Sequence, residues 1–150
     1  MRSSFPPAPL TYSDGGAVAH ALGCRPDEIE TASDKIVCRL ASEALAAGLV
    51  PDLAAVARLP KPGLVVTATG CSVDFVSRYF APAKGIPEDQ VTGSTHAILA
   101  PYWAARLGRA SLSAAQLSPR GGTIGCEVVD ARTVHVIGPA CSFLEGHLML

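Results

Sequence analysis

A chain of 150 residues, 49% of them hydrophobic and 17% charged, has room for one full-sized domain that buries about two thirds of its unfolded surface. No disulfide or metal staple is therefore needed, and a disordered acidic or basic chain is excluded. Twelve Lys and Arg against thirteen Asp and Glu leave a net charge of -1, without the basic footprint that nucleic acid or an anionic membrane selects, so neither is expected as a partner.

The first residues carry Pro6, Pro7 and Pro9 and no apolar h-region, so 1–13 is expected to be an extended entry segment and not a signal peptide. No stretch approaches a membrane span. Residues 15–22 predict a short small-residue helix closed by Gly23, and 26–29 a half-turn. The β-branched run 35–40 predicts a strand. Ser42 and Glu43 then open a helix over 43–47, ended by Gly48, and Pro51 opens another over 51–59 with Leu53, Val56 and Leu59 on one side. After a turn at 60–63, residues 64–68 read as a buried strand and 74–80 as a second one, with Phe75 and Tyr79 expected on different faces.

The next stretch is the informative one. Gly85-Ile86-Pro87-Glu88-Asp89-Gln90-Val91 reads as a turn, and Thr92-Gly93-Ser94-Thr95-His96 runs directly into an apolar helical pattern reaching Leu107, with Pro101 expected to kink it. The first amides of a helix lack intrahelical partners and stand at the positive end of its dipole, so Gly93, Ser94 and Thr95 form a candidate seat for a carboxylate or phosphate. Equally, Thr92 or Ser94 is the kind of residue that caps a helix with no ligand involved. Ile98, Leu99, Tyr102, Trp103 and Leu107 make this helix apolar nearly all round, which requires it to be wrapped by other elements. From 112 onward the pattern is of short strands, 112–118, 123–129, 133–137 and 141–150, separated by turns at 120–122 and 130–131. A sheet curled around one central helix is expected.

Chemistry elsewhere is sparse. Cys24, Cys38, Cys71, Cys126 and Cys141 are odd in number and form no CxxC, and His20, His96, His135 and His147 stand at no metal-ligand spacing. Buried free thiols in a reducing cytoplasm and no metal site are expected. Gly93-Ser94-Thr95-His96-Ala97 is not a G-x-S-x-G elbow, which argues against a hydrolase.

The run Asp74-Phe75-Val76-Ser77-Arg78-Tyr79-Phe80-Ala81-Pro82, followed by Gly85-Ile86-Pro87-Glu88-Asp89, Val91-Thr92-Gly93-Ser94, His96 and Leu99-Ala100-Pro101-Tyr102-Trp103, resembles the C-terminal half of the PhzF-like family. These are phenazine-biosynthesis isomerases that share the diaminopimelate epimerase fold. The resemblance extends through Gln116-Leu117-Ser118-Pro119-Arg120-Gly121-Gly122 and more weakly back to Pro51-Asp52-Leu53-Ala54. It implies an α+β fold: a single domain over 1–150 with a curled, mostly antiparallel, barrel-like sheet around a central helix. It also implies isomerisation of a small carboxylate-bearing substrate by proton transfer without metal or organic cofactor.

By the same resemblance, Asp89 and Ser94 fall on positions that flank the reacting substrate, and Thr92, Gly93 and Ser94 on the loop whose amides hold its carboxylate. Thr95, from its place in the first turn, and Gln90, whose side-chain amide can donate to a ligand or to Asp89, are further candidate substrate-binding residues. Glu88 and His96 are the nearby candidate acid or base groups. Gln90 stands where the family usually has proline. The family's N-terminal half, with its catalytic glutamate in a Ser-Glu-Thr context, has no counterpart here, because Ser42-Glu43 is followed by Ala44 inside a packing helix. The site is therefore expected to be completed by a second chain, either a homodimer partner or a separate N-terminal half. The alternatives are a non-catalytic carboxylate-binding or interaction module that has lost the glutamate half, and a truncated product.

Overall fold

The computed structural model describes residues 12–141, 143 and 146. Its centre is an eight-stranded sheet with helices on both faces. Helix α1 (Tyr12–Leu22) ends at Gly23, whose positive φ of 68° is the left-handed closure expected there. It begins earlier than its sequence pattern indicates. The first eleven residues of the expected entry segment, and most of the expected strand 141–150 with His147, lie outside the described residues.

Strand β1 (Glu28–Ala32) pairs antiparallel with β2 (Lys35–Arg39) through a two-residue turn in which Ser33 takes φ 57°. The sequence pattern suggests only a half-turn at 26–29. Glu28 and Glu30 look unlike a strand because they occupy a sheet edge, where charge blocks further pairing. Helices α2 (Glu43–Ala47) and α3 (Leu53–Ala57) are held by side-chain caps, Ser42 Oγ accepting from Leu45 N (3.2 Å) and Asp52 Oδ1 from Ala54 N and Ala55 N (2.9 and 3.0 Å).

Strands β3 (Gly63–Thr69) and β4 (Phe75–Ala81) form the buried centre of the sheet. β5 (Ile86–Asp89) pairs with β4, so what the sequence presents as a turn is a short strand. Pro87 lacks an amide donor, and an edge strand tolerates that loss. Helix α4 (Gly93–Leu107) follows, then β6 (Ser111–Gln116), β7 (Gly122–Val128) and β8 (Val134–Ile137). The order is β1-β2-β3-β4-β6-β7-β8 with β5 also on β4; the β2–β3 and β4–β6 pairs are parallel.

This sheet is open, and the expected barrel-like closure does not occur. β1 and β8 do not pair; instead Glu28 on β1 accepts from Tyr102 Oη (2.8 Å) and from Arg106, both on α4. On one face α1, α2 and α3 cover Ile36, Leu64, Val66, Val76 and Phe80. The other face belongs to α4, whose Ile98, Leu99, Tyr102 and Trp103 pack against Val37, Val65, Phe75, Leu112 and Ile124.

Phe75 and Tyr79 both lie on the α4 face, correcting the expectation that they diverge: residues four apart on a strand share a side. Pro101 does not break α4, which runs from Gly93 to Leu107 and closes at Gly108 with φ 67°. Among the described residues no helix is long and apolar enough to cross a membrane.

Candidate active site at the start of helix α4

One edge of β4 is shared by two strands. Its last residues pair with β5 (Tyr79 with Asp89), and its first with β6 (Phe75 with Ala114, Ser77 with Gln116). The ends of β5 and β6 are thereby brought together where α4 begins. Asp89 and Gln116, distant in sequence, become neighbours.

Gln116 is 1% exposed and uses every donor and acceptor of its amide. Its Oε1 accepts from Thr92 N (2.8 Å), and its Nε2 donates to Asp89 O (2.8 Å) and to Thr92 Oγ1 (3.2 Å). Thr92 Oγ1 in turn donates to Asp89 Oδ2 (2.5 Å), while Gln90 N donates to Asp89 Oδ1 (2.9 Å). Ser118 Oγ donates to Gln90 O (2.6 Å) and accepts from Gly121 N (3.1 Å), and Arg120 N donates to Gln90 Oε1 (3.0 Å). A Cβ at Gly122 would lie 2.5 Å from Val91 Cγ2, so glycine is required for the 120–122 turn to close on the loop. Gln90 faces this turn.

The geometry bears on the choice between a capped helix and a ligand seat. Thr92 is at the N-cap position of α4, yet its hydroxyl is turned to Asp89 and makes no cap bond. No described residue accepts from the amides of Gly93, Ser94 or Thr95. Ser94 is half-buried, and Thr95 Oγ1 is buried without a partner. Gly93 is exposed, and a Cβ there would meet nothing within 4 Å, so the space before the first turn is open. Three first-turn amides without a partner among the described residues thus stand beside a carboxylate fixed by Thr92 and by the Gln90 amide, and unpaired amides of this kind are the groups an anion would satisfy.

The other two candidates are occupied. Glu88 binds Arg78 through both oxygens (Nε–Oε1 2.7 Å, Nη2–Oε2 3.0 Å), and Arg78 Nη1 also donates to Leu49 O (2.6 Å) and Ala46 O (3.1 Å). His96 is fully buried; its Nδ1 lies 2.8 Å from Thr92 O and its Nε2 3.3 Å from Ser77 Oγ. A carbonyl only accepts, so Nδ1 carries the proton and Nε2 accepts from Ser77. Burial pushes the imidazole pKa down, keeping it neutral. In this chain His96 holds the loop that carries Thr92. Glu43 lies in α2, in the helical layer across the sheet from α4, and its Oε2 accepts from Cys71 N (2.5 Å).

In the sequence, Gln116 and Ser118 stand out only as part of a motif. The signal for Gln116 was present: in Leu112, Ala114, Gln116 the polar residue takes an inward position of a period-2 pattern, where an amide requires partners. Arg78, inside the all-buried β4, carries the same signal.

Residues 14–146 match the family model described as phenazine biosynthesis-like protein. The chain belongs to this PhzC/PhzF family. A Pseudomonas aeruginosa protein named an uncharacterized isomerase is 47% identical over 130 residues, covering 87% of this chain and 49% of that protein. A second from the same organism is 42% identical over 144 residues, 96% of this chain and 54% of the other.

Among solved structures, a phenazine biosynthesis PhzC/PhzF protein from Clostridium difficile superposes with a TM-score of 0.83 at 36% identity, covering 99% of this chain and 56% of that one. A PhzF-family protein from Enterococcus faecalis gives 0.80 at 38% identity, covering 93% and 56%. The chain spans about half the length of the relatives it matches.

Proposed function

We propose that this chain supplies one wall of a PhzF-type isomerase site, as one half of a diaminopimelate epimerase-like fold. The reaction moves a proton between carbons of a small carboxylate-bearing substrate, without a metal or organic cofactor. The observation that carries the reading is the open first turn of α4: its amides lack partners because the residue placed to cap it, Thr92, spends its hydroxyl on Asp89.

In this reading the substrate carboxylate rests on the amides of Gly93, Ser94 and Thr95, which stabilise the charge that builds beside it as the proton leaves. Such donors are already oriented, so stabilisation needs no reorganisation. Asp89 stands at the edge of that seat as the proton-handling group, and Ser94 Oγ contacts the substrate. Among the described residues Glu88 is bound to Arg78 and His96 to Thr92 and Ser77, so the second acid or base is assigned to another chain. A second polypeptide carrying an N-terminal half, or a second copy of this chain, would place it opposite.

Solvent deuterium uptake into carbons next to the carboxylate of a panel of small acids, followed by NMR with the chain alone and mixed with an N-terminal-half polypeptide, tests the reading. Uptake that falls at least about a hundredfold in Asp89→Asn, the range expected for a general acid or base, supports it. Absence of uptake from every acid in both settings overturns it.

A further inference from the structure

We propose that Gln116 is the positioning residue of this site: it sets the direction of the hydrogen bond that orients the Asp89 carboxylate. The proposal rests on the reading of Asp89 as a site residue and adds the group that aims it.

The assignment of the amide is forced by its neighbours. Thr92 N can only donate, so the atom 2.8 Å from it is Oε1; Asp89 O can only accept, so the atom 2.8 Å from it is Nε2. The second Nε2 proton then goes to Thr92 Oγ1 at 3.2 Å. A hydroxyl has one proton to give, and with Gln116 donating to its oxygen, that proton goes to Asp89 Oδ2 at 2.5 Å. The relay runs one way, from Gln116 Nε2 through Thr92 to Asp89. The same relay turns Thr92 away from the α4 amides and leaves them open. Gln116 therefore governs both halves of the seat, the aimed carboxylate and the uncapped turn, while touching no substrate itself.

Gln116→Glu tests the direction, because it keeps the shape and makes the donor ionisable. As a neutral acid, the introduced carboxyl donates to Asp89 O as the amide does. Once ionised it can only accept, and it competes with Asp89 for the Thr92 hydroxyl. Followed by NMR across pH, the Thr92 hydroxyl proton and the Asp89 carboxyl carbon are expected to report a new transition, at the ionisation of the introduced carboxyl, that the unmodified chain lacks. Where deuterium uptake is measurable, kcat falls about tenfold or more across that transition with KM unchanged, the size of one hydrogen bond to a charged group.

A space-filling glutamine gives neither response. An Asp89 carbon and Thr92 hydroxyl that stay the same on both sides of that ionisation overturn the proposal. If Gln116→Glu does not fold, the unmodified chain decides: both side-chain amide protons of Gln116 are expected to exchange with solvent far more slowly than those of a free glutamine, and exchange at the free rate overturns the proposal. Absent deuterium uptake with the NMR transition present would remove the isomerase reading and leave the relay standing.

Discussion

The hydroxyl of Thr92 decides what the start of α4 is. Threonine at this position ordinarily turns back to the helix amides; here its hydroxyl donates to Asp89 Oδ2 at 2.5 Å instead. The Thr-Gly-Ser stretch was legible in the sequence as a helix start, but which way the hydroxyl points was not, since that depends on Gln116, a partner 24 residues away in the chain.

His96 shows the complementary case, a residue that looks chemical and is held by two neutral bonds inside the core. Its pKa is lowered by burial, so the unfolded chain binds a proton that the folded chain refuses. Its contribution to stability is present above the unfolded value of about 6.5 and is lost as pH falls through and below it. Urea unfolding between pH 8 and pH 5 is expected to show this loss in the unmodified chain and a shallower dependence in His96→Gln. Equal slopes would mean that His96 ionises freely in the fold.

Among the elements, the strands that the sequence pattern hides are the ones at edges. β1 alternates glutamates with Ile29 and Thr31, and β5 contains Pro87 beside Glu88 and Asp89. Both patterns belong equally to turns, and only pairing to a buried neighbour makes them strands. β3 was legible because burial on both faces leaves an apolar run, and β4 because large apolar residues alternate with polar ones. α4 was legible from its apolar pattern, although it packs on one face of an open sheet and its last turn, Leu107 included, is exposed.

Arg78 joins two of these elements, fixing Glu88 of β5 and the carbonyls at the end of α2 from the centre of β4. The Arg78 and Glu88 side chains are only 11% and 15% exposed, so Arg78→Met leaves a largely buried carboxylate unpaired and is expected to cost about 3–5 kcal/mol. The double variant Arg78→Met, Glu88→Gln should recover a substantial part of that. A double-mutant cycle by chemical denaturation measures the coupling, and additive losses would contradict it.

At the scale of the molecule, α4 is the inner pillar of one face, and Trp103 is its main anchor. The indole stacks on Phe75 (centroids 5.8 Å apart, planes within 6°), and its Nε1 donates to Thr67 Oγ1 (2.9 Å), which donates to Val76 O (2.7 Å). Trp103→Ala is expected to lower stability by about 3–5 kcal/mol, read as a lower denaturation midpoint with the slope kept. Trp103→Phe keeps most of the packing and should cost markedly less. With helices on both faces, the sheet buries an apolar cluster on each side, in keeping with the high apolar content of the sequence. What it could not show is the fork on β4, because parallel pairing of β4 with β6 joins residues that share no local signal.

Everything proposed for the site depends on the first turn of α4 being an open seat for a carboxylate. The most direct test is an amide NMR titration of the chain with small mono- and dicarboxylates, comparing the unmodified protein with Gly93→Ala. Saturable shifts centred on Gly93, Ser94 and Thr95 are expected. Gly93→Ala, whose Cβ meets nothing in the fold, is expected to keep or slightly raise the melting temperature while weakening those shifts. Shifts spread without focus over the surface, or unchanged binding in Gly93→Ala, would contradict an open seat.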